Sequence, residues 1–178
     1  MSTDNGKKIQ AAVKAVCQMH NDVSKLLMDF DDFAPWPCES VFGNAATRDL
    51  TAQARAKYWM SEGVYRYLSS KEEPGLVEAI TACFIDSKLV EPLLLLGRMR
   101  YAVGGDQTIA GVCEPWDLWN LYFLWNKDWQ ERVPKDCSAP DKSRITSARA
   151  IATPLYSVGS LSEVGDLLIK LRTLGAGA

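Results

Sequence analysis

Two runs of residues in the middle of the chain favour β-structure, and they constrain the fold more than any other feature. They cover residues 76–85 and 89–103, and the Asp-Ser-Lys sequence at 86–88 has the composition of a short turn. The pattern predicts a central β-hairpin over residues 76–103. The first run also fits a helical repeat through Leu76, Val77, Ile80 and Phe84, so a helix over 76–85 remains the alternative.

The second run predicts which side chains share a face of the sheet, because successive strand residues point to opposite sides. One face carries apolar and aromatic residues, namely Leu93, Leu95, Met99, Tyr101 and Val103. The other face begins with Leu94 and Leu96 and continues with Arg98 and Arg100. This second face therefore changes from apolar to basic along the strand.

A long amphipathic helix is predicted over residues 7–30. Its apolar side follows alternating steps of four and three residues, the spacing of a heptad stripe, through Ile9, Val13, Val16, His20, Val23, Leu27 and Phe30. Pro35 and Pro37 end the helix. A stripe of this kind has to be covered by a sheet or by another helix.

Weaker patterns lie on either side of the hairpin. Thr47 can cap a helix over residues 47–58, whereas residues 59–68 mix β-formers with a helix-breaking glycine and stay ambiguous. The Gly-Gly-Asp sequence at 104–106 predicts a second tight turn between strands, leading into residues 108–112.

The C-terminal third is predicted to contain two helices and a strand. An aromatic helix over residues 115–131 holds four of the six tryptophans and is followed by an exposed loop over 135–147. A strand over 150–158 follows, with Pro154 confined to an edge or a bulge. Ser160 and Glu163 have the spacing of a capping box, which predicts a last helix over 161–174.

This order of elements predicts one α+β domain over residues 1–178, with a mainly antiparallel sheet and helices packed on one face. Strands that follow each other through short turns favour the antiparallel arrangement over a doubly wound sheet.

Charge and composition exclude several classes of protein. The formal net charge is −2, which gives the chain no long-range attraction to nucleic acid or to an anionic membrane. No window approaches the roughly eighteen consecutive apolar residues of a membrane span. The N-terminal sequence is too polar for a secretory signal, and five cysteines without a CxxC pair indicate free thiols. We expect a cytoplasmic protein with reduced cysteines.

The residue types that usually carry catalysis are sparse. The single histidine, His20, lies within the apolar stripe of the first helix, where a packing role is favoured over a catalytic or metal-binding one. Asp29, Asp31 and Asp32 form an acidic cluster, but they lack the ordered spacing of a calcium loop. The chain has no phosphate-binding glycine loop and no nucleophile elbow. We therefore predict no catalytic residue, no metal ligand and no cofactor.

Two sets of residues are candidate sites. Arg98 and Arg100, with Arg66 on a neighbouring segment, could anchor a carboxylate or phosphate, and the alternative is ion pairing with Glu78 or Glu91. The aromatic helix presents more rings than one core face can cover, so its tryptophans are candidate interface residues, namely Trp116, Trp119, Trp125 and Trp129.

Three functions follow as hypotheses. The first is a non-enzymatic interaction or accessory protein that self-associates, or binds a protein partner, through residues 7–30 or 116–129. The second is a small-molecule or nucleotide-binding domain whose pocket uses Arg98 and Arg100. The third is an enzyme that uses carboxylates, with or without Mg²⁺. The absence of any motif with a known mechanism favours the first.

Overall fold

The computed structural model describes residues 3–43, 45, 62–84, 89–125 and 129–173. Its centre is a six-stranded sheet in the order β1-β2-β3-β4-β6-β5, in which every pair of neighbouring strands is antiparallel. The strands are β1 Cys38–Ser40, β2 Gly63–Ser70, β3 Leu76–Cys83, β4 Leu93–Tyr101, β5 Lys135–Cys137 and β6 Ile145–Pro154. The predicted α+β class with an antiparallel sheet is confirmed.

The helical elements are short, apart from the first and the last. They are α1 Thr3–Asp29, a 3-10 turn at Phe30–Phe33, α2 Ile109–Val112, α3 Asp117–Asn120, a π-helical turn at Leu121–Trp125, a 3-10 turn at Leu155–Ser157, and α4 Leu161–Thr173. None of the helices in the described part of the chain has the length and hydropathy needed to cross a membrane.

The central hairpin forms as predicted. β3 and β4 pair with Val77 opposite Met99 and Ile80 opposite Leu96, which excludes the helical alternative over residues 76–85 within the described part, 76–84. The predicted turn at 86–88 and the predicted helix at 47–58 lie outside the described residues. The ambiguous segment at 59–68 contributes β2, which begins at Gly63.

Both faces of the sheet are covered. Leu94, Leu96 and Ile80 are fully buried beneath α1 and α4, with which they form one apolar cluster. Leu95 and Met99 belong to a second cluster on the opposite face, together with α3 and the aromatic residues that follow it. The two long helices thus share one face, and short helical turns with aromatic side chains cover the other.

Gly97 of β4 lets the aromatic segment approach the second face closely. A Cβ atom at this position would lie 2.5 Å from Leu118 Cδ1, and the Leu118 side chain is itself fully buried. Glycine is therefore required here by the close approach of α3, because a buried leucine has no space into which it can retreat.

The last helix also follows its predicted pattern. Val164, Leu167, Leu168 and Leu171 are buried, and α4 begins directly after Ser160. Ser160 Oγ accepts a long hydrogen bond of 3.4 Å from the Glu163 backbone N–H, which is one half of the predicted capping box. In the described residues the Glu163 carboxylate instead accepts a bond of 3.2 Å from Arg132.

The predicted aromatic helix over 115–131 is wrong in its length. Within the described part of that range, 115–125 and 129–131, only Asp117–Asn120 is α-helical, and a π-helical turn over Leu121–Trp125 follows. The wider turn brings Tyr122, Phe123 and Trp125 against the apolar cluster on the second face of the sheet. A regular α-helix would distribute these side chains around its circumference.

Three further boundaries differ from prediction. The predicted strand over 150–158 runs instead from Ile145 to Pro154, and the predicted loop over 135–147 contains β5. Residues 109–112 form α2, so the 104–106 turn does not join two strands. β5 was missed because it is short and charged, which is how edge strands avoid aggregation. Pro154 is tolerated because it is the last residue of β6.

Candidate functional site

The three candidate arginines lie on the face of the sheet that carries α1 and α4, and each one is paired. Arg66 makes two bonds to Asp31, Nε to Oδ1 at 2.9 Å and Nη2 to Oδ2 at 2.5 Å, and it also donates to Ser40 Oγ and to the Gly43 carbonyl. The hydrogen bond to Asp31 raises the pKa of Arg66 above its already high ordinary value. Arg100 forms an exposed ion pair with Glu73.

Arg98 belongs to a more buried network around Glu78, which is only 2% exposed. The Glu78 carboxylate accepts bonds from Arg172 at 2.6 and 2.9 Å and a longer one from Arg98 at 3.4 Å. Trp36 lies against both guanidinium groups, at 5.1 Å from Arg98 and 5.6 Å from Arg172. The predicted pairing of Arg98 with Glu78 is therefore present.

This network joins elements that are remote in sequence. Arg172 comes from α4, Glu78 from β3 and Trp36 from the segment after α1, and Arg172 also donates to the Phe33 carbonyl at 2.7 Å. Its arrangement ties α4 and the end of α1 to the sheet. Neither of the two cavities described below is lined by Arg66, Arg98 or Arg100. The role of Arg66, Arg98 and Arg100 as ligand anchors stays a prediction.

The four candidate tryptophans are half-buried on the second sheet face. Trp119 packs on Phe123 with ring centroids 4.5 Å apart, and Trp129 packs on Tyr122 at 4.7 Å. Trp116 contacts Tyr65, and Trp125 packs against the same cluster. These rings cover the sheet within one chain, so only part of each surface is left for a second molecule. Their role as interface residues stays a prediction.

His20 and Asp31 both contact neighbouring residues. His20 Nδ1 lies 3.1 Å from the Val16 carbonyl, and its ring packs edge-on against Phe84 at 4.9 Å. All five cysteines are free thiols, of which Cys17 is exposed. Asp31 pairs with Arg66, and the described residues contain no cluster of three or more potential metal ligands.

A groove of about 710 Å³ lies between α1 and the segment that leads into α4. Its α1 wall is formed mainly by Ala15, Met19, Asp22, Leu26 and Asp29. The opposite wall is apolar, and two of its large side chains are well exposed, namely Tyr156 at 75% and Leu161 at 41%. We call this surface the α1 groove. No sequence pattern predicted it, because its two walls are more than a hundred residues apart.

The N-terminal half of α1 is unusual in its exposure. Val23 and Leu27 from the predicted stripe are buried against the sheet, but every residue from 10 to 15 is exposed. Val13 is 56% exposed. The apolar stripe thus continues beyond the sheet onto a helical segment with no covering layer among the described residues.

Comparisons with known proteins indicate no function for this chain, so a proposal has to rest on the geometry described above. No protein-family model matches the chain, and no curated protein or solved structure is similar to it.

Proposed function

We propose that this chain is a non-enzymatic interaction protein that self-associates, with the N-terminal half of α1 from one copy lying in the α1 groove of a second copy. The observation that carries the proposal is the exposed, partly apolar N-terminal half of α1 beside an apolar groove. A helical segment of about twelve residues is only marginally stable in water without packing, so this half of α1 gains from a partner surface.

Charge selects a second copy as the occupant. The charged residues of the groove wall are Asp22, Asp29 and Lys25, so its carboxylates outnumber its cations, whereas the exposed N-terminal half of α1 carries Lys7, Lys8 and Lys14. An antiparallel arrangement of two α1 helices places the lysines of each copy beside the aspartates of the other. The same arrangement opposes the two helix dipoles favourably.

The geometry is consistent with a closed dimer. α1 has 27 residues, which gives a length of about 40 Å at 1.5 Å per residue. An antiparallel pair related by a twofold axis near the middle of α1 uses both grooves at once, so the interface is self-complementary and closes at two copies. Small side chains at Ala12 and Ala15 allow the helices to approach closely.

The first experiment measures molar mass by light scattering over a range of protein concentrations. We expect a mass near twice the 19.7 kDa of one chain for the wild type. Ala15→Glu should weaken the dimer because it places a charge in the apolar contact. We expect its dissociation constant to rise at least about tenfold. Ser24→Glu is the matched control, because Ser24 is equally exposed on α1 but does not line the groove.

A charge exchange tests the antiparallel register. Lys8→Glu and Asp22→Lys should each weaken the dimer, and the double variant should recover part of the loss. A wild-type mass that stays at one chain at high concentration contradicts the proposal. So does a dimer that is equally weakened by the Ser24→Glu control.

The second hypothesis, a small-molecule binder, is favoured by a different cavity from the predicted arginine pocket. That cavity is on the opposite face of the sheet.

A further inference from the structure

A second described cavity, of about 300 Å³, opens at the end of β4 on the face covered by the aromatic segment. Its lining includes Tyr101, Glu114, Asp117, Trp125, Lys142 and Arg144. We call it the Asp117 cavity. Its volume is at the lower limit for small-molecule sites, so it suits a ligand of small size.

Asp117 is the unusual group in this cavity, because it is a carboxylate with only 7% of its surface exposed. Tyr101 Oη donates to its Oδ2 at 2.7 Å, and the Glu114 backbone N–H donates to the same oxygen at 2.8 Å. Among the described residues Oδ1 accepts no hydrogen bond, which leaves it open to a donor in the cavity. Burial raises the pKa of Asp117, which reflects the cost of keeping this charge away from water.

Two backbone irregularities meet at the same place. The register of β4 and β6 shifts between Arg100 and Tyr101, and the π-helical turn ends at Trp125. Such bulges and π-helical turns are concentrated beside functional sites, where they redirect side chains. Here both direct a lining residue toward the Asp117 cavity.

The charges of the lining residues indicate the class of ligand. Asp117 and Glu114 supply two carboxylates, and Lys142 and Arg144 supply two cations. None of Glu114, Lys142 and Arg144 forms an ion pair with another described residue. Trp125 adds an aromatic surface suited to a cationic group. A ligand with charges of both signs would satisfy both the carboxylates and the cations of this lining.

We propose that the Asp117 cavity binds a small zwitterion that carries an ammonium and a carboxylate group, as a free α-amino acid does. The ammonium donates to Asp117 Oδ1 and lies near Glu114. The carboxylate is held by Arg144 and Lys142, of which the Arg144 guanidinium has the geometry for two parallel bonds. This site is independent of the α1 groove, which lies on the other face of the sheet.

The test uses glycine, leucine and phenylalanine as probes, followed by amide chemical shifts of isotopically labelled protein at neutral pH. We expect at least one probe to give saturable shifts around residues 112–125 and 140–144, with a dissociation constant of about 1 mM or tighter. Isoamylamine keeps only the ammonium group of leucine, and 4-methylpentanoate keeps only its carboxylate. If leucine is the probe that binds, each of these compounds should bind at least about tenfold more weakly than leucine.

Variants locate the effect. Asp117→Asn and Arg144→Gln should each weaken binding by about tenfold or more, because each removes one charge-assisted contact. Asp106→Asn, an exposed change that does not line the cavity, should leave binding unchanged. Arg144 is exposed, so Arg144→Gln gives a folded variant whatever the fate of Asp117→Asn. The proposal is overturned if no probe gives saturable shifts, or if binding survives both variants unchanged.

Discussion

Replacing Glu78 by glutamine should destabilise the protein more than almost any other change of a single charged group. The side chain is 2% exposed and accepts three hydrogen bonds, two from Arg172 and one from Arg98. A glutamine of the same shape keeps one acceptor oxygen but leaves two guanidinium groups without a counter-charge. Loss of one member of a buried ion pair costs about 3–5 kcal/mol.

The structure places the expected cost at the lower end of that range. The side chains of Arg98 and Arg172 keep 26% and 19% of their exposure, so they recover part of their hydration when Glu78 is neutralised. We therefore expect Glu78→Gln to lower the free energy of unfolding by about 3 kcal/mol. For a chain of this size that corresponds to a fall in Tm on the order of 10 °C.

Urea unfolding followed by tryptophan fluorescence measures this change. Glu73→Gln is the matched control, because Glu73 makes an exposed ion pair with Arg100 that is worth about 0.5 kcal/mol or less. Arg172→Met should cost less in the Glu78→Gln background than alone, since the pair is already broken. A Glu78→Gln variant as stable as the Glu73→Gln control would refute the reasoning.

Three further changes test other parts of the account. Ser160→Ala should cost about 0.5–1 kcal/mol in urea unfolding, the lower part of the range for a lost N-cap, because its bond to the Glu163 N–H is long; no change would contradict the cap. His20→Gln should leave the dimer mass unchanged with a modest loss of stability, and a folded but monomeric variant would overturn its structural role. Burial raises the pKa of Asp117 in the folded protein, so its protonated form adds to the free energy of unfolding at a pH below about 3.9, the ordinary carboxyl pKa. This contribution is lost as the pH rises through the raised pKa. Asp117→Asn should therefore flatten the fall in stability over that range, and an unaltered pH profile would count against a buried charge.

The parts of the fold that were predictable from the sequence depend on local patterns. The alternation in residues 93–101 placed Leu95 and Met99 on one face and Leu94 and Leu96 on the other, as the structure has them. The apolar spacing of α4 and the position of Ser160 likewise located that helix. These signals need only neighbouring residues, so no tertiary information is required to use them.

The missed features depend on residues that are far apart in sequence. Arg172 lies 94 residues from Glu78, and no local pattern indicates that they meet. The burial of the sheet on both faces was indicated by the four consecutive leucines 93–96, since an uninterrupted apolar strand is typical of a sheet buried on both sides. The unusual position of Asp117 was also indicated by the sequence, because Asp117 is the only acidic residue within the apolar and aromatic sequence of residues 115–125.

The π-helical turn illustrates a second limit. Residues 121–125 are Leu-Tyr-Phe-Leu-Trp, a run of apolar and aromatic residues that does not by itself distinguish an α-helical turn from a π-helical one. Packing against the sheet, with Leu121 fully buried, selects the wider turn. Local propensity cannot make that choice, because Leu121 is buried in a cluster that includes residues of the sheet such as Tyr67 and Met99.

The distance between Cys17 residues of two associated copies tests the central claim most directly. Cys17 is exposed, Cys38 is half-buried, and Cys83, Cys113 and Cys137 are buried. A Cys38→Ala background therefore directs a spin label to Cys17 under native conditions. Helical spacing directs Cys17 about 160° away from Ala15, and it does not line the α1 groove, so the label leaves the contact intact.

Double electron–electron resonance on this labelled protein measures that distance. Helix axes about 10 Å apart in an antiparallel pair, centred near the middle of α1, predict one distance below about 35 Å between the labels. The signal should disappear in Ala15→Glu and persist in Ser24→Glu. A wild-type protein without dipolar modulation at high concentration, or with a distance unaffected by Ala15→Glu, would contradict self-association through α1.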